Sequence, residues 1–318
     1  MVFQPESEVA TVNAGLGASF AGAKVMIGSS GGGYDLMTEG LSLQGISEIP
    51  LVVYLASRPG PGTGVPTYSL QNDLDVALRG GHGEFPRVVI APGDPIECVG
   101  SVNECMYLSE KFGCLSILLS DKHLAESEFS FDKKCYDKKV SKLLKVDVIR
   151  KIPGEGIVKA SSYEHDADGN TSESAELCRK NADARVAKYG KIKKECEKFE
   201  MVKLYGPKDA KNLVIGWGST KSVILDALDS IDGSIKNGKG DWKFLQVLYM
   251  KPLSSKIREE IEKVSEGGGN VILVEQNVTG QLGRLIREKT GLKLNNRILK
   301  YDSRPFYCDE LKEELLKF

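Results

Sequence analysis

The sequence predicts an α/β protein of two doubly wound parallel sheets, and three observations carry that expectation. Short apolar runs alternate with helix-length segments from residue 23 to residue 120. The alternation restarts at residue 212 and continues to residue 290. Between the two, residues 129–202 keep neither period and are dense in lysine and glutamate.

In chain order, residues 6–22 carry small side chains at Ala10, Ala14, Gly15, Gly17, Ala18, Ala21 and Gly22. They read as a helix that other backbone can approach closely, although each glycine costs propensity. A short buried strand at 23–28, the turn Ser29-Ser30-Gly31-Gly32-Gly33, a helix at 34–45 and a strand at 49–56 follow. A long Gly/Pro loop spans 57–69. A helix at 72–79, a strand at 88–91, a helix at 95–112 and a strand at 115–120 close the first unit. In the second unit the strands are expected at 213–217, 244–250 and 271–275. The helices are expected at 221–230, 255–266 and 279–290, the last stopping at Gly291. Three regions result: 1–130, a charged linker with a hairpin at 131–205, and 206–318.

Composition narrows the function. The 318 residues carry 43 basic and 44 acidic side chains, a net charge of -1, which lacks the basic excess of a nucleic-acid binder. The apolar run at 49–56 is far too short to cross a bilayer, and the first residues have neither the basic start nor the apolar stretch of a signal peptide. A soluble cytoplasmic protein is expected. The seven cysteines, Cys98, Cys105, Cys114, Cys135, Cys178, Cys196 and Cys308, show no pair at the two-to-four-residue separation that grips zinc or an iron–sulfur cluster. They read as reduced thiols, with Cys98, Cys105 and Cys114 packing, and no metal site is expected in this chain.

Two features bear on chemistry. Glu8 opens the small-residue helix, where a carboxylate stabilises the helix dipole whatever else it does; Glu6 is its near rival. Arg58 stands at the mouth of Arg58-Pro59-Gly60-Pro61-Gly62-Thr63-Gly64-Val65-Pro66-Thr67, just after a buried strand. Prolines stiffen that loop, glycines let it approach a ligand, and arginine grips a carboxylate or phosphate through paired hydrogen bonds. The ends of parallel strands are where α/β sheets bind ligands. No Gly-x-Gly-x-x-Gly or phosphate-loop pattern is present, which speaks against a nucleotide-binding α/β protein. His165 lies with Glu164, Asp166 and Asp168 in a turn-rich segment that local hydrogen bonding explains as well as a cation would. For His82 a loop histidine that satisfies local backbone groups explains the position at least as well as a catalytic one, and His123 receives no role.

Several motifs resemble one family in order along the chain. They are Glu8 before the Ala/Gly helix, Ser30-Gly31-Gly32-Gly33-Tyr34-Asp35 and Arg58-x-Gly-Pro-x-Thr-Gly. Gln71-x-Asp73-Leu74, Gly81-His82-Gly83-Glu84, Glu164-His165-Asp166, Val274-Glu275-x-Asn277-x-x-Gly280-Gln281-Leu282 and Arg304-Pro305-Phe306 continue it. The chain is similar to alpha subunits of thiamine-diphosphate-dependent 2-oxoacid:ferredoxin oxidoreductases, with the arginine loop closer to the 2-oxoglutarate and broad 2-oxoacid branch. The resemblance implies a pyrimidine-binding-type domain at 1–130 and a transketolase C-terminal-like domain at 206–318. It implies that Glu8 acts on the pyrimidine ring of thiamine diphosphate and that Ser30, Gly31 and Gly32 lie along the cofactor. It further implies that Arg58 and Thr63 receive the substrate.

The reaction implied is coenzyme A-dependent oxidative decarboxylation of a 2-oxoacid, or its reverse, with ferredoxin as electron acceptor. A beta subunit would bring magnesium and the iron–sulfur cluster, and gamma or delta subunits are further partners. Two departures stand out. Pro59 and Gly62 differ from the family loop, and the usual first strand and Tyr-Pro-Ile-Thr-Pro-type turn are absent before Glu8. A segment carried by another polypeptide is one expectation from that, and a non-catalytic structural subunit is the alternative reading. Glu275 and Asn277 are expected to organise a contact between domains or subunits.

Overall fold

The computed structural model describes residues 1–132, 142–147, 150–156 and 158–318. The lysine-rich stretch from residue 133 to residue 141, with Cys135, lies outside the described residues.

Among the described residues, two five-stranded, mostly parallel sheets with covering helices make up the fold, the α/β class the periodicity predicts. The first sheet contains β1 (Met26–Ser30), β2 (Leu51–Ser57), β3 (Arg87–Ile90) and β4 (Leu115–Asp121) in the order β1-β2-β4-β3. Its helices are α1 (Glu8–Phe20), α2 (Gly31–Ser47), α3 (Leu74–Arg79), α4 (Pro95–Phe112) and the short α5 (Lys122–Glu126). Strands β3 and β4 are buried at every position, as expected where helices cover both faces of a parallel sheet.

Close packing of α1 on α2 and on β1 depends on missing side chains. Val12 sits where a Cβ on Gly40 would stand, and Ile27 where one on Gly15 would. Ala10, Ala14, Gly17, Ala18 and Ala21, however, face outward and are exposed. Only part of the small-residue pattern thus serves packing within the chain.

A long helix, α6 (Ala175–Cys196), leads into the second sheet. Its alternating charges leave most of it exposed, but Ile192 and Cys196 dock into a core with Cys105, Leu108 and Tyr249. Ahead of it, the turn-rich segment makes a single bridge, His165 to Thr171. Asp166 Oδ1 accepts the backbone N–H of Asp168 and Asn170 there.

The second sheet has the order β10-β9-β6-β7-β5. It comprises β5 (Val202–Tyr205), β6 (Asn212–Gly216), β7 (Trp242–Val247), β9 (Asn270–Glu275) and β10 (Asn296–Leu299). Its helices are α7 (Thr220–Asp232), α8 (Ser234–Asn237), α9 (Lys256–Glu266), α10 (Gln281–Thr290) and α11 (Cys308–Leu315).

The expected single strand at 244–250 is two. Strand β7 ends at Val247, and β8 (Tyr249–Lys251) crosses to pair antiparallel with β3 in the first sheet. Leu248 makes the transfer: its carbonyl accepts from Ala91 while its N–H and that of Tyr249 reach Met201. A continuous hydrophobic core accordingly runs from Val12 through Leu119 to Leu294.

Buried charge seals the join. Glu97 on α4 binds Lys221 of α7 at 2.6 Å, Lys203 of β5 at 2.9 Å and Gln246 of β7 at 2.7 Å. Burial alone would raise the Glu97 pKa, but the two ammonium groups outweigh it and the net shift is downward. Asp94, the N-cap of α4, completes the cluster by also pairing with Lys221.

Candidate functional site

The C-terminal rim of the first sheet brings the expected residues together around the first turn of α2. That helix begins Gly31-Gly32-Gly33, and its N-cap, Ser30, makes no side-chain capping bond. The first backbone N–H groups of a helix have no partner within it, so this end is one that a ligand can fill.

Glu8 approaches from α1. Its Oε1 accepts a hydrogen bond from the Ser29 hydroxyl at 3.2 Å, and the residue is half-buried. Gly33 makes the approach possible: a Cβ there would stand 2.6 Å from Glu8 Oε1 and collide with the Ser29 hydroxyl. Arg58 comes from the end of β2, the strand parallel and adjacent to β1, and donates to Ser30 Oγ at 2.6 Å. Adjacent serines at the end of β1 therefore receive the two charged candidates.

The arginine loop folds back over the same turn. Val65 N–H donates to the Pro59 carbonyl at 3.1 Å. Gly64, at φ 53°, is needed there because a Cβ would run into that carbonyl. The loop passes close to α2 at Gly62, whose carbonyl lies 3.7 Å from where a Gly32 Cβ would be. Thr63 follows, exposed, as is Arg58. Tyr68 at the loop's far end lies under the Arg304 guanidinium, 3.4 Å from ring centroid to Cζ.

One carboxyl at this rim went unassigned in the sequence. Asp73, the N-cap of α3, lies against Gly31, whose Cβ would stand 2.6 Å from Asp73 Oδ2. That oxygen has no hydrogen-bond partner among the described residues. Burial pushes the Asp73 pKa up to about 6, with Ser57 and Arg58 lowering it only in part. Its place in Gln71-x-Asp73-Leu74 was visible, but nothing in that spacing tells a helix cap from a carboxyl under the site.

The remaining candidates lie elsewhere. His82 is exposed, and His123 Nδ1 pairs with Ser127 Oγ at 3.2 Å. Asn277 donates to the Gln71 carbonyl at 3.3 Å, and Gln71 Nε2 donates to the Trp217 carbonyl at 2.8 Å. Glu275 stands behind Asn277 at 3.0 Å, so this pair supports the seam between the two sheets. Among the described residues no group of three or more His, Cys, Asp or Glu is placed to hold a metal ion, and no helix is long and apolar enough to cross a membrane. The described cysteines are free thiols; Cys105 and Cys114 are fully buried and Cys98 partly so.

Known proteins resemble the chain along its whole length. Residues 1–176 match the model of the pyruvate flavodoxin/ferredoxin oxidoreductase, thiamine-diphosphate-binding family. The chain is 34% identical, over its full length, to 2-oxoacid:ferredoxin oxidoreductase 1, subunit alpha, of Sulfurisphaera tokodaii, of which it covers 52%. It is 28% identical to 2-oxoglutarate synthase subunit KorA of Methanocaldococcus jannaschii, with 88% of this chain and 83% of that one covered. In structure it is similar, at a TM-score of 0.80 and 26% identity, to the 2-oxoglutarate:ferredoxin oxidoreductase from Magnetococcus marinus solved with 2-oxoglutarate, coenzyme A and succinyl-CoA bound. The match covers all of this chain and 57% of that one. The chain spans about half the length of several of the curated relatives it matches. With a family model matched over more than half its residues, and relatives named as alpha subunits along its whole length, the chain belongs to the pyruvate flavodoxin/ferredoxin oxidoreductase, thiamine-diphosphate-binding family.

Proposed function

We propose that this chain works within the alpha subunit of a 2-oxoacid:ferredoxin oxidoreductase, holding the pyrimidine side of thiamine diphosphate and the carboxylate of a 2-oxoacid, with 2-oxoglutarate favoured. The reaction is oxidative decarboxylation with coenzyme A, in which the 2-oxoacid loses carbon dioxide, its acyl group passes to the thiol and two electrons pass singly to ferredoxin; the reverse carboxylation uses the same groups. Residues 1–130 form the pyrimidine-binding part and 206–318 the transketolase C-terminal-like part, joined through 131–205. The enzyme is cytoplasmic. A beta subunit supplies magnesium, the diphosphate contacts and the iron–sulfur cluster, and gamma or delta subunits complete some assemblies.

The carrying observation is that Glu8 and Arg58 converge on Ser29 and Ser30 beside a helix end stripped of side chains. The residues fit the cofactor. Glu8 Oε2 has no hydrogen-bond partner among the described residues, and Gly32 leaves open space at the start of α2. When bound, thiamine diphosphate supplies the carbanion chemistry that decarboxylation of a 2-oxoacid requires. Glu8 holds and moves a proton at its free carboxyl oxygen. Arg58, already oriented by Ser30, offers its remaining N–H groups to the substrate carboxylate, and the Thr63 hydroxyl adds a further donor. Backbone of Ser30, Gly31 and Gly32 lines the cofactor face.

The test is turnover of the reconstituted complex carrying Glu8→Gln, which keeps shape and removes the titratable proton. A loss of roughly 10²–10⁴ in kcat is expected, with assembly intact by size-exclusion chromatography. Arg58→Met should instead raise KM for 2-oxoglutarate more than it lowers kcat. Near-normal turnover by Glu8→Gln would move the chain to a structural role in the assembly.

A further inference from the structure

A second charged cleft lies at the other end of the first sheet. Strand β8 runs antiparallel to β3, with Tyr249 opposite Ile90 and Lys251 opposite Val89. The chain after Lys251 therefore leaves beyond the N-terminal ends of the parallel strands, away from Ser30 and Arg58. There the C-terminal ends of α3 and α10, the start of α9 and one face of α6 enclose a cleft of about 330 Å³. A cavity of about 450 Å³ adjoins it and shares Tyr189, Lys251 and Lys289.

The lining of the first cleft is one-sided in charge. Arg79, Lys193, Lys251, Arg258 and Lys289 face it, against a single carboxylate, Glu288. Glu288 is already engaged, with Arg79 at 2.5 Å and Lys289 at 2.9 Å, and Arg258 is held by Glu262 at 2.7 Å. Lys193 and Lys251 have no carboxylate partner among the described residues. Among the described residues the one side-chain hydrogen bond of Lys251 is a long one, 3.4 Å to the Leu78 carbonyl at the end of α3, and its ammonium lies 5.9 Å from the Tyr189 ring centroid. Burial, and then the neighbouring cations Arg87, Lys289 and Arg79, lower its pKa to about 8. Cations at helix C-termini ordinarily neutralise the helix dipole. That role accounts for Arg79, Lys289 and Lys193, each in the last turn of its own helix. It does not account for the ammonium of Lys251, which a strand brings into the same cleft. Ser254 and Ser255 add hydroxyl groups, and Leu253, Leu285 and the Tyr189 ring supply apolar wall.

We infer that this cleft binds a phosphate-bearing small molecule, with Lys251 and Lys193 as its principal contacts and Arg258 at its rim. An anion would relieve the mutual repulsion of the cations, and the apolar wall leaves room for an organic group beside the phosphate. The site is separate from the thiamine rim and does not rest on the function proposed for it.

Isothermal titration calorimetry on the full chain, with whatever subunits co-purify, tests the inference. The probes are inorganic phosphate, ADP and coenzyme A, each at low and at physiological salt. Saturable 1:1 binding of phosphate is expected, weakened by salt. Tighter binding of ADP or coenzyme A than of phosphate identifies an organic phosphate as the ligand class, and equal binding identifies the free anion. Lys251→Met should weaken binding about tenfold or more, as loss of a charge-assisted hydrogen bond does. Arg258→Ala, at an exposed position, guards against misfolding of that variant and should weaken binding severalfold. Absence of saturable binding by all three probes to folded protein overturns the site. So does binding that both variants leave unchanged.

Discussion

The two sheets end their helices in opposite ways. In the second unit the start of α10 is closed by the protein itself. Glu275, fully buried at the end of β9, accepts the backbone N–H of Leu282 at 3.0 Å and that of Gly283 at 3.4 Å. Trp217 Nε1 and Asn277 Nδ2 bind the same carboxylate, and Asn277 Oδ1 takes the N–H groups of Gly280 and Gln281. In the first unit the start of α2 has three glycines, no capping side chain and a carboxylate, Asp73, that lies beside it with one oxygen unfilled. One strand-to-helix turn has its donors taken up by buried side chains, and the other has no side chain capping it. The difference separates a closed seam from an open helix end within one architecture.

Glu275→Ala attacks the closed end and should have the largest effect on folding. It strands the Trp217 indole, the Asn277 amide and the first N–H groups of α10 in a fully buried setting. A loss of about 3–5 kcal/mol is expected by urea denaturation, since each buried donor left unpaired costs about 1–3 kcal/mol and the neighbours relax only in part. A loss below about 1 kcal/mol would show that water reaches this turn and that it is not sealed.

The open end is sharpened by a pair of alanines. In Gly33→Ala the new methyl collides with Glu8 and Ser29, so a cost of about 1–3 kcal/mol and loss of turnover are expected together. Gly32→Ala meets nothing closer than the Gly62 carbonyl. It should leave stability unchanged or raise it by about 0.4–1 kcal/mol, as alanine does in a helix, while weakening thiamine diphosphate binding in the complex. Thermal denaturation and a thiamine assay read both variants; equal behaviour of the two would remove the distinction between a packed glycine and an open one.

Much of this contrast was legible in the chain. Proline and glycine marked the arginine loop, and the alternation of strands and helices gave the α/β class. What stayed hidden was contact across distance. Strand β10 and the edge strand β5 are short and half-buried, so neither shows a period. The run from Phe244 to Met250 is apolar apart from Gln246, and no residue in it announces that Leu248 changes sheets. In the sequence Ser29 and Asp73 stand out only as parts of motifs. Their roles depend on Glu8 and Gly31 reaching them from other elements, which spacing cannot tell.

Asp73→Asn gives the smallest effect and probes the open end most directly. In the folded protein the Asp73 pKa is about 6, above its ordinary 3.8, because burial disfavours the charge. The folded state therefore binds this proton more tightly than the unfolded state does. Its contribution to stability is fullest below about pH 4, declines as pH rises from about 4 to 6, and is lost above that. A shift of about two units corresponds to about 3 kcal/mol, and the partial exposure of the residue reduces this to about 1–2 kcal/mol. Asparagine has nothing to lose. The variant's stability relative to the native protein should accordingly rise by about 1–2 kcal/mol between pH 4 and pH 7. Measuring the difference between the two proteins cancels other groups that titrate in the same range, Glu104 among them, whose pKa burial also raises to about 6. A difference independent of pH would mean that the Asp73 pKa is the same in the folded and unfolded states, and that burial does not hold this carboxyl above its ordinary range.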